Sequence, residues 1–394
     1  MTAQAPRILL SAGEASGDRL GAGLARALRR SCPGVELFGM GGPQMAEAGV
    51  RLIQDSSEVA VVGFQEVLAR LPAIRKAMRL LAAALERERP DLLVPIDFPD
   101  FNLRLAARAR RVAVDVVYFV SPQVWAWRRG RVHLIRRLVR RMLVLFPFET
   151  PFYEAAGVPV TFVGHPLAES GREPRGRTEL CAATGLDPER EVVALVPGSR
   201  RSEVERLLAP MLAAAALVRR RRPATQSLVT LAPGLSRDWF EAEISRLGGG
   251  DVRLHAGDFP EVLSVCRAGA VASGTATLEA AVTGLPMAVV YKMNPISYAI
   301  GRALSNLSSV AMPNLVAGRR IVPELIQSGC TPEAISDVLL RFLEHPAEAR
   351  RVREELKAIR GRLGGPGVFD RAAAEILAEL GARRLAVTPK EPIP

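Results

Sequence analysis

Residues 192–205 read VVALVPGSRRSEVE. Five apolar residues end at Pro197-Gly198, two arginines follow, and Ser202 to Glu205 has the Ser-x-x-Glu spacing that caps a helix. A short, unbroken apolar run is what a strand buried on both faces looks like. The stretch therefore predicts a parallel-sheet strand, a glycine turn and a helix. Outward from it the same alternation recurs. Strands are expected at 8–12, 92–96, 114–120, 142–146 and 160–163, with helices at 21–30, 72–88, 102–110 and 132–140. Beyond 192–196, strands at 227–231, 252–255, 270–272 and 287–291 alternate with helices at 203–222, 237–247, 260–267 and 277–283. That is the pattern of doubly wound α/β sheets. The Gly-, Pro- and charge-rich segment GHPLAESGREPRGR (164–177) divides the series. Two Rossmann-like domains are expected, 1–168 and 169–345, with 346–394 as a helical tail.

With 394 residues the chain is long enough for two or more domains. It is 48% hydrophobic and 24% charged, which excludes a disordered protein. Its formal charge of +12 favours polyanions: phosphorylated ligands, an anionic membrane or nucleic acid. Aromatics are only 5%, which argues against base-stacking platforms. Lys76, Lys292, Lys357 and Lys390 are the only lysines, so the basic excess is carried by arginine and reads as a genomic composition bias more than as a function. The four cysteines and four histidines are scattered, with no Cys-x-x-Cys pair, so neither a zinc site nor a disulfide framework is expected. The N-terminal apolar run reads as a strand, not a signal peptide, and no stretch reaches the length of a membrane span.

In open α/β sheets ligands bind beyond the carboxyl ends of strands, where helix amides converge. Three loops fit that place. SAGEASGDRLG (11–21) has three glycines, and Ser16 or Asp18 is expected to cap the next helix. It has neither the dinucleotide fingerprint nor a phosphate-loop lysine, and a plain glycine turn accounts for it equally well. The loop at 197–202 joins Gly198, Ser199, Arg200 and free helix amides into a phosphate site, against the plainer reading of solvated arginines. SGTATLE (273–279) offers Ser273, Gly274, Thr275 and Thr277, with Glu279 placed to take ribose hydroxyls; a small-residue helix start is the alternative. Two such loops in one domain suggest a nucleoside diphosphate.

Asp97, at the end of an apolar strand in IDFPDFN (96–102), is a candidate general base. Asp100 has a simpler reading as a charge on a helix N-terminus. No Asp-x-Asp pair is present to hold a metal on a diphosphate, so arginine and helix amides are left to neutralise it. An apolar stripe runs through Phe64, Val67, Leu71, Ile74 and Met78, with Leu68 beside it and Pro72 within it. Proline suits a helix interior poorly, so a short helix over 63–70 and a second starting near Pro72 are expected. Core packing is the plain reading of the stripe, and a lipid headgroup layer the other.

SAGEASGD (11–18), IDFPDFN, YFVSPQVWAWRRGRV (118–132), LFPFETPFY (145–153), VPGSRRSEV (196–204), SGTATLE and PNLVAGRRIVPELIQ (313–327) together resemble the lipid-A-disaccharide synthase family. The resemblance runs in order from residue 8 to about 330. It implies two Rossmann-like domains of GT-B architecture and an inverting glycosyltransferase. Such an enzyme joins UDP-2,3-diacylglucosamine to 2,3-diacylglucosamine 1-phosphate (lipid X), releasing UDP. The N-terminal domain would take the acceptor lipid and the C-terminal one the UDP-sugar, with no cofactor and no metal. By resemblance Asp97 is the base, Arg200 steadies the departing diphosphate, and Asn314 is an active-site asparagine. Glu14, Ser16, Ser199, Ser273, Gly274, Thr275, Thr277 and Glu279 would contact substrate. Phe64, Val67, Leu68, Leu71, Ile74 and Met78 would face acyl chains and membrane, reversing the core reading. The family likeness further implies a cytoplasmic protein peripheral on the inner membrane, a homodimer exchanging its C-terminal helices, and no nucleic-acid partner. Another UDP-sugar enzyme of the same architecture, such as a 2-epimerase, is the nearest rival; a basic nucleic-acid-binding protein is the rival of another class.

Overall fold

The computed structural model describes residues 5–59, 64–126, 129–169, 175–294, 298 and 309–387. It divides into two compact units, one of residues 1–169 and 364–394, the other of residues 170–363. In the first, β1 (Arg7–Ala12), α1 (Ala15–Ser31), β2 (Glu36–Gly41), α2 (Pro43–Glu47), β3 (Arg51–Asp55) and α3 (Phe64–Glu88) lead to β4 (Leu92–Ile96). Then come α4 (Pro99–Arg111), β5 (Asp115–Phe119), α5 (Val132–Leu138), β6 (Arg141–Val144), α6 (Glu149–Ala155) and β7 (Val160–Phe162). The seven strands are parallel in the order β3-β2-β1-β4-β5-β6-β7. β4 is buried along its whole length because helices cover both faces. Leu9, Leu81, Leu105 and Ile135 build the core on the α3–α6 side, and Ile8, Leu24, Leu28 and Ile96 the one on the α1 side.

The second unit has α7 (Arg177–Thr184), β8 (Val192–Val196), α8 (Arg201–Arg221), β9 (Gln226–Thr230), α9 (Arg237–Arg246), β10 (Val252–His255) and α10 (Phe259–Leu263). It continues with β11 (Ala268–Ala272), α11 (Thr275–Val282), β12 (Met287–Tyr291), α12 (Met312–Ala317), β13 (Glu324–Ile326), α13 (Pro332–Glu344) and α14 (Pro346–Arg362). Its six parallel strands run β10-β9-β8-β11-β12-β13. In each sheet the order reverses beside the first strand, β1 or β8, and ligands bind at such a reversal. The expected fold of two doubly wound sheets is the observed one. Of the residues expected as a tail, α14 belongs to the second unit and the last helix, α15 (Val368–Val387), to the first. The ring of Phe369 on α15 fills the space a side chain at Gly23 of α1 would take.

Several expectations are corrected. α3 is one helix from Phe64 to Glu88 with Pro72 inside it, not two. Pro72 is exposed, so water can take the carbonyl that loses its N–H partner. On that helix Leu71, Ile74 and Met78 are half-buried, and Ile74 and Met78 pack on the core. The side chains of Phe64, Val67 and Leu68 lie outside the described residues. Asp18 does not cap its own helix: its carboxylate accepts from the amides of Gly42 (2.8 Å), Gln44 (3.1 Å) and Met45 (3.0 Å), closing the start of α2. α8 begins at Arg201, so Ser202 lies inside it and Glu203, not Glu205, supplies the capping carboxylate.

Candidate active site

Asp97 follows β4 directly, and both it and Phe98 sit at positive φ, +47° and +50°. Such a backbone costs about 1–3 kcal/mol per residue and needs outside support. The support is visible. The buried Asn102 donates its amide to the Asp97 carbonyl at 2.7 Å, and the buried Tyr118 hydroxyl donates to the same oxygen at 2.7 Å. Asn102 also donates to the Ser11 carbonyl (3.0 Å) and accepts from the Ser11 hydroxyl (2.7 Å), tying the end of β1 to the end of β4. Gly13 completes the join, because a Cβ there would lie 2.2 Å from the Phe98 ring. Burial, helped by the negative charge of Glu14, raises the Asp97 carboxyl to about 6. Glu14 and Asp97 thus face one place, while Ser16, the second residue of α1, is exposed. Asp100 is exposed and paired with Arg131 at 2.5 Å. Of the two aspartates, Asp97 has the environment of a base.

The next strand ends carry a feature absent from the site residues named from the sequence. Glu149, 3% exposed, accepts from Trp125 Nε1 and from the Phe146 amide, both at 3.1 Å. Burial pushes its carboxyl up to about 7. Ser121 and Tyr153 join their hydroxyls at 2.8 Å beside it. The Ser121–Trp125 turn after β5 is therefore fastened to the start of α6. His165 lies against Phe146, 5.1 Å between ring centres, and burial with the nearby Arg19 lowers it to about 4. Its imidazole is neutral.

In the second unit, Gly198 (φ +117°) turns the chain from β8 into α8. A Cβ there would lie 2.5 Å from Glu203 Oε2, the oxygen that accepts from the amides of Ser199 (3.1 Å) and Arg200 (3.2 Å). Those two amides are satisfied within the chain by the helix cap, against the expectation of free amides at this turn. The Arg200 guanidinium is exposed and makes a 3.5 Å contact with Glu203. Arg201 differs: it pairs with Glu205 at 3.0 Å and stacks over Trp239 at 4.7 Å. Beside this loop, at the end of the neighbouring β11, Gly274 (φ +143°) and Thr275 are exposed and Ser273 and Glu279 half-buried. Thr277 is fully buried and donates to the Gly274 carbonyl at 2.7 Å, so its hydroxyl shapes the turn. Asn314 is 2% exposed and its amide is fully used. It donates to the Val322 carbonyl (3.0 Å) and to Glu324 (2.7 Å), and accepts from the amides of Ile321 (2.7 Å) and Val322 (3.0 Å).

Of the expected residues, Glu14 and Asp97 lie at the carboxyl edge of the first sheet and Ser199, Arg200 and Ser273 to Thr275 at that of the second, while Asn314 holds the segment that enters β13. One group holds a raised carboxylate, Asp97, beside Glu14. The other pairs a glycine turn and an exposed arginine with a small-residue turn.

A family described as lipid-A-disaccharide synthetase matches residues 8–362. A lipid-A-disaccharide synthase of Geobacter sulfurreducens is 48% identical over 375 residues, 95% of this chain and 97% of that protein. One of Myxococcus xanthus is 44% identical over 374 residues, 94% of this chain and 97% of that protein. Among solved structures, the calicheamicin glycosyltransferase CalG4 superposes with a TM-score of 0.59 at 17% identity, covering 98% of this chain and all of that one. The UDP-GlcNAc 2-epimerase of Neisseria meningitidis, bound to UDP-GlcNAc, gives 0.61 at 12% identity, over 96% of this chain and 99% of that one. At such identities the structures share the fold alone.

Proposed function

The chain belongs to the lipid-A-disaccharide synthetase family, and from that membership we propose how its residues divide the work. The reaction is the transfer of 2,3-diacylglucosamine from UDP to 2,3-diacylglucosamine 1-phosphate, giving the β-1,6 disaccharide 1-phosphate and UDP. The first unit takes the acceptor and the second the UDP-sugar. Asp97 removes the proton from the acceptor's primary hydroxyl as that oxygen bonds to the donor's anomeric carbon. The bond from that carbon to the diphosphate breaks, the electron pair leaves with UDP, and the configuration inverts. Arg200 and the amides at the start of α8 meet the charge that builds on the diphosphate, an interaction strongest as the bond breaks. Ser199, Ser273, Gly274, Thr275 and Glu279 line the nucleotide's path. Thr277 and Asn314 act through the backbone they hold. The observation that carries the assignment of the base is the raised carboxyl of Asp97 beside the ion-paired Asp100.

The test is UDP release from UDP-diacylglucosamine with and without the monosaccharide 1-phosphate, in chelator. Acceptor-dependent release is expected. Asp97→Asn should lower turnover about 10²–10⁴-fold, and Arg200→Ala about 10²–10³-fold. Release without acceptor, or equal use of soluble UDP-N-acetylglucosamine, would point to epimerase-like or hydrolytic chemistry instead.

The protein works at the cytoplasmic surface of the inner membrane. Among the described residues no helix is long and apolar enough to cross a bilayer. Leu80 on α3 and Leu134 on α5, the exposed large hydrophobics of the described chain, lie on the same side of the first sheet as the exposed Arg79, Arg104, Arg108 and Arg136. Leucines among arginines suit anionic headgroups. Leu71, half-buried on α3, is the described part of the stripe expected to face acyl chains that does not pack on the core. Sedimentation with phosphatidylglycerol vesicles should exceed that with phosphatidylcholine vesicles, and equal recovery from both would argue against this surface. A homodimer that exchanges C-terminal helices completes the reading, and light scattering would test it.

A further inference from the structure

Glu324, the first residue of the edge strand β13, has a half-buried carboxylate that gathers donors from a different part of the chain. It accepts from the Ser309 hydroxyl, from the amides of Val310 (3.0 Å) and Ala311 (3.3 Å), and from Asn314 Nδ2 (2.7 Å). Those hydrogen bonds hold its carboxyl below the usual carboxylate range despite burial. Within the segment the Ser309 hydroxyl also accepts from the amide of Ala311, the residue that opens α12, at 3.3 Å. What this segment offers to the rest of the unit is the Val310 carbonyl, which accepts from the Ser273 hydroxyl at 2.8 Å. Ser273 is also held at its amide, which donates to the Val290 carbonyl of β12 at 2.9 Å. It is thus fixed at two points immediately before Gly274 turns the chain into α11.

We propose that Glu324 is a positioning residue for nucleotide binding, its carboxylate fixing Val310 so that Val310 fixes Ser273 and the Gly274–Thr275 turn. This rests on the reading that residues 273–279 take the nucleoside diphosphate of the donor. Glu324 need not touch the ligand. A carboxylate is required because all its partners are donors: a glutamine would turn an NH₂ toward N–H and O–H groups and leave at least one of them unpaired. The arrangement also gives Asn314 its place. That side chain binds Glu324 with one amide hydrogen and fastens residues 321 and 322 with the rest, so the segments before and after α12 close on the same carboxylate.

The test is calorimetric titration of UDP into the full-length protein and its variants, each below its own melting temperature. Glu324→Gln should bind UDP about tenfold more weakly, the scale of one hydrogen bond to a charged group, with KM for the acceptor unchanged. Ser273→Ala should show a similar loss. The double variant should be no weaker than the weaker single, because both changes cut one chain of contacts. Glu324→Asp, which keeps the charge, should recover part of the loss. Should Glu324→Gln fail to fold, Ser309→Ala removes one donor, leaves the carboxylate in place, and should weaken UDP by a few-fold. The proposal is overturned if a variant melts lower yet binds UDP as wild type does, since the role would then be structural. It is also overturned if the losses of the two single variants multiply in the double. A wild-type protein that bound no UDP would instead remove the nucleotide reading itself, and Glu324 would have nothing to position.

Discussion

Asp97 shows how one carboxylate is prepared for proton transfer. The apolar strand before it brings it to the sheet edge, and the positive φ at 97 and 98 fixes where it sits. Burial beside Glu14 then lifts its carboxyl to about 6. A base works ionised, so kcat/KM should fall about tenfold per pH unit below roughly 6 and level off above it. A profile with no inflection between pH 5 and 7 would argue against Asp97. Glu149 carries the opposite consequence. Its carboxyl stands at about 7 against an ordinary 4.5, so the folded protein holds a proton the unfolded chain has lost. At 1.36 kcal/mol per unit, stability should fall by roughly 3 kcal/mol as pH rises from below 4.5 to above 7. Glu149→Gln, which needs no proton, should therefore melt higher than wild type at pH 8 and about equally at pH 4. Melting curves at the two pH values decide it. Asp97 was legible in the sequence because a charge that ends a buried apolar run must emerge at the strand's carboxyl end, where ligands bind. Asn102, Tyr118 and Glu149 were not, because what defines them is a partner far along the chain: Ser11, Asp97 and Trp125.

The strand–turn–helix element is the unit that presents each site residue, and Gly198 is where it is most exposed to a single change. An alanine there would meet both a φ of +117° and Glu203 Oε2 at 2.5 Å. The strain, about 1–3 kcal/mol, falls on the loop and not on the core. Gly198→Ala should therefore weaken UDP at least tenfold while far-ultraviolet circular dichroism stays unchanged, and a wild-type UDP affinity would show that the loop is not the phosphate site. Elements of this kind were read well from sequence wherever the strand was a pure apolar run, as at β4, β8 and β12. β2, β3 and β13 escaped. β2 contains Gly39 at φ +144° with a register shift beside it; β3 and β13 are edge strands of five and three residues, with charge at their ends and only partial burial. Their pairing comes from the neighbouring strand, which no local pattern records. Pro72 misled for a related reason, since a helix anchored by buried Ala77, Leu81 and Leu85 tolerates one broken bond on its wet side.

At the scale of the whole chain, the first unit is built from two distant stretches, and this makes its stability depend on the C-terminus. Val368, Ala372, Ala373 and Ile376 of α15 are fully buried and Leu380 nearly so, in the same core as Leu24 and Leu28 of α1. Glu379 meets Arg140 at 2.5 Å and Arg141 at 2.7 Å, at the start of β6. Burying a Val, Ile or Leu side chain contributes about 1.5–3 kcal/mol. The three large aliphatic residues alone thus approach the roughly 5–15 kcal/mol by which a domain is stable at all. The sequence marked this stretch as part of a helical tail, but its docking site was not legible there. A chain ending at Leu363 should keep the second unit folded and lose the first. Hydrogen exchange would show it directly: amides of β1 and β4 should lose their protection while those of β8 and β11 keep theirs. A peptide of residues 364–387 added in trans should restore part of the protection in β1, because the face it covers is otherwise complete. Unchanged protection of β1 in the truncated chain would mean that α15 merely rests on the first unit, and the partition of the chain into these two units would have to be redrawn.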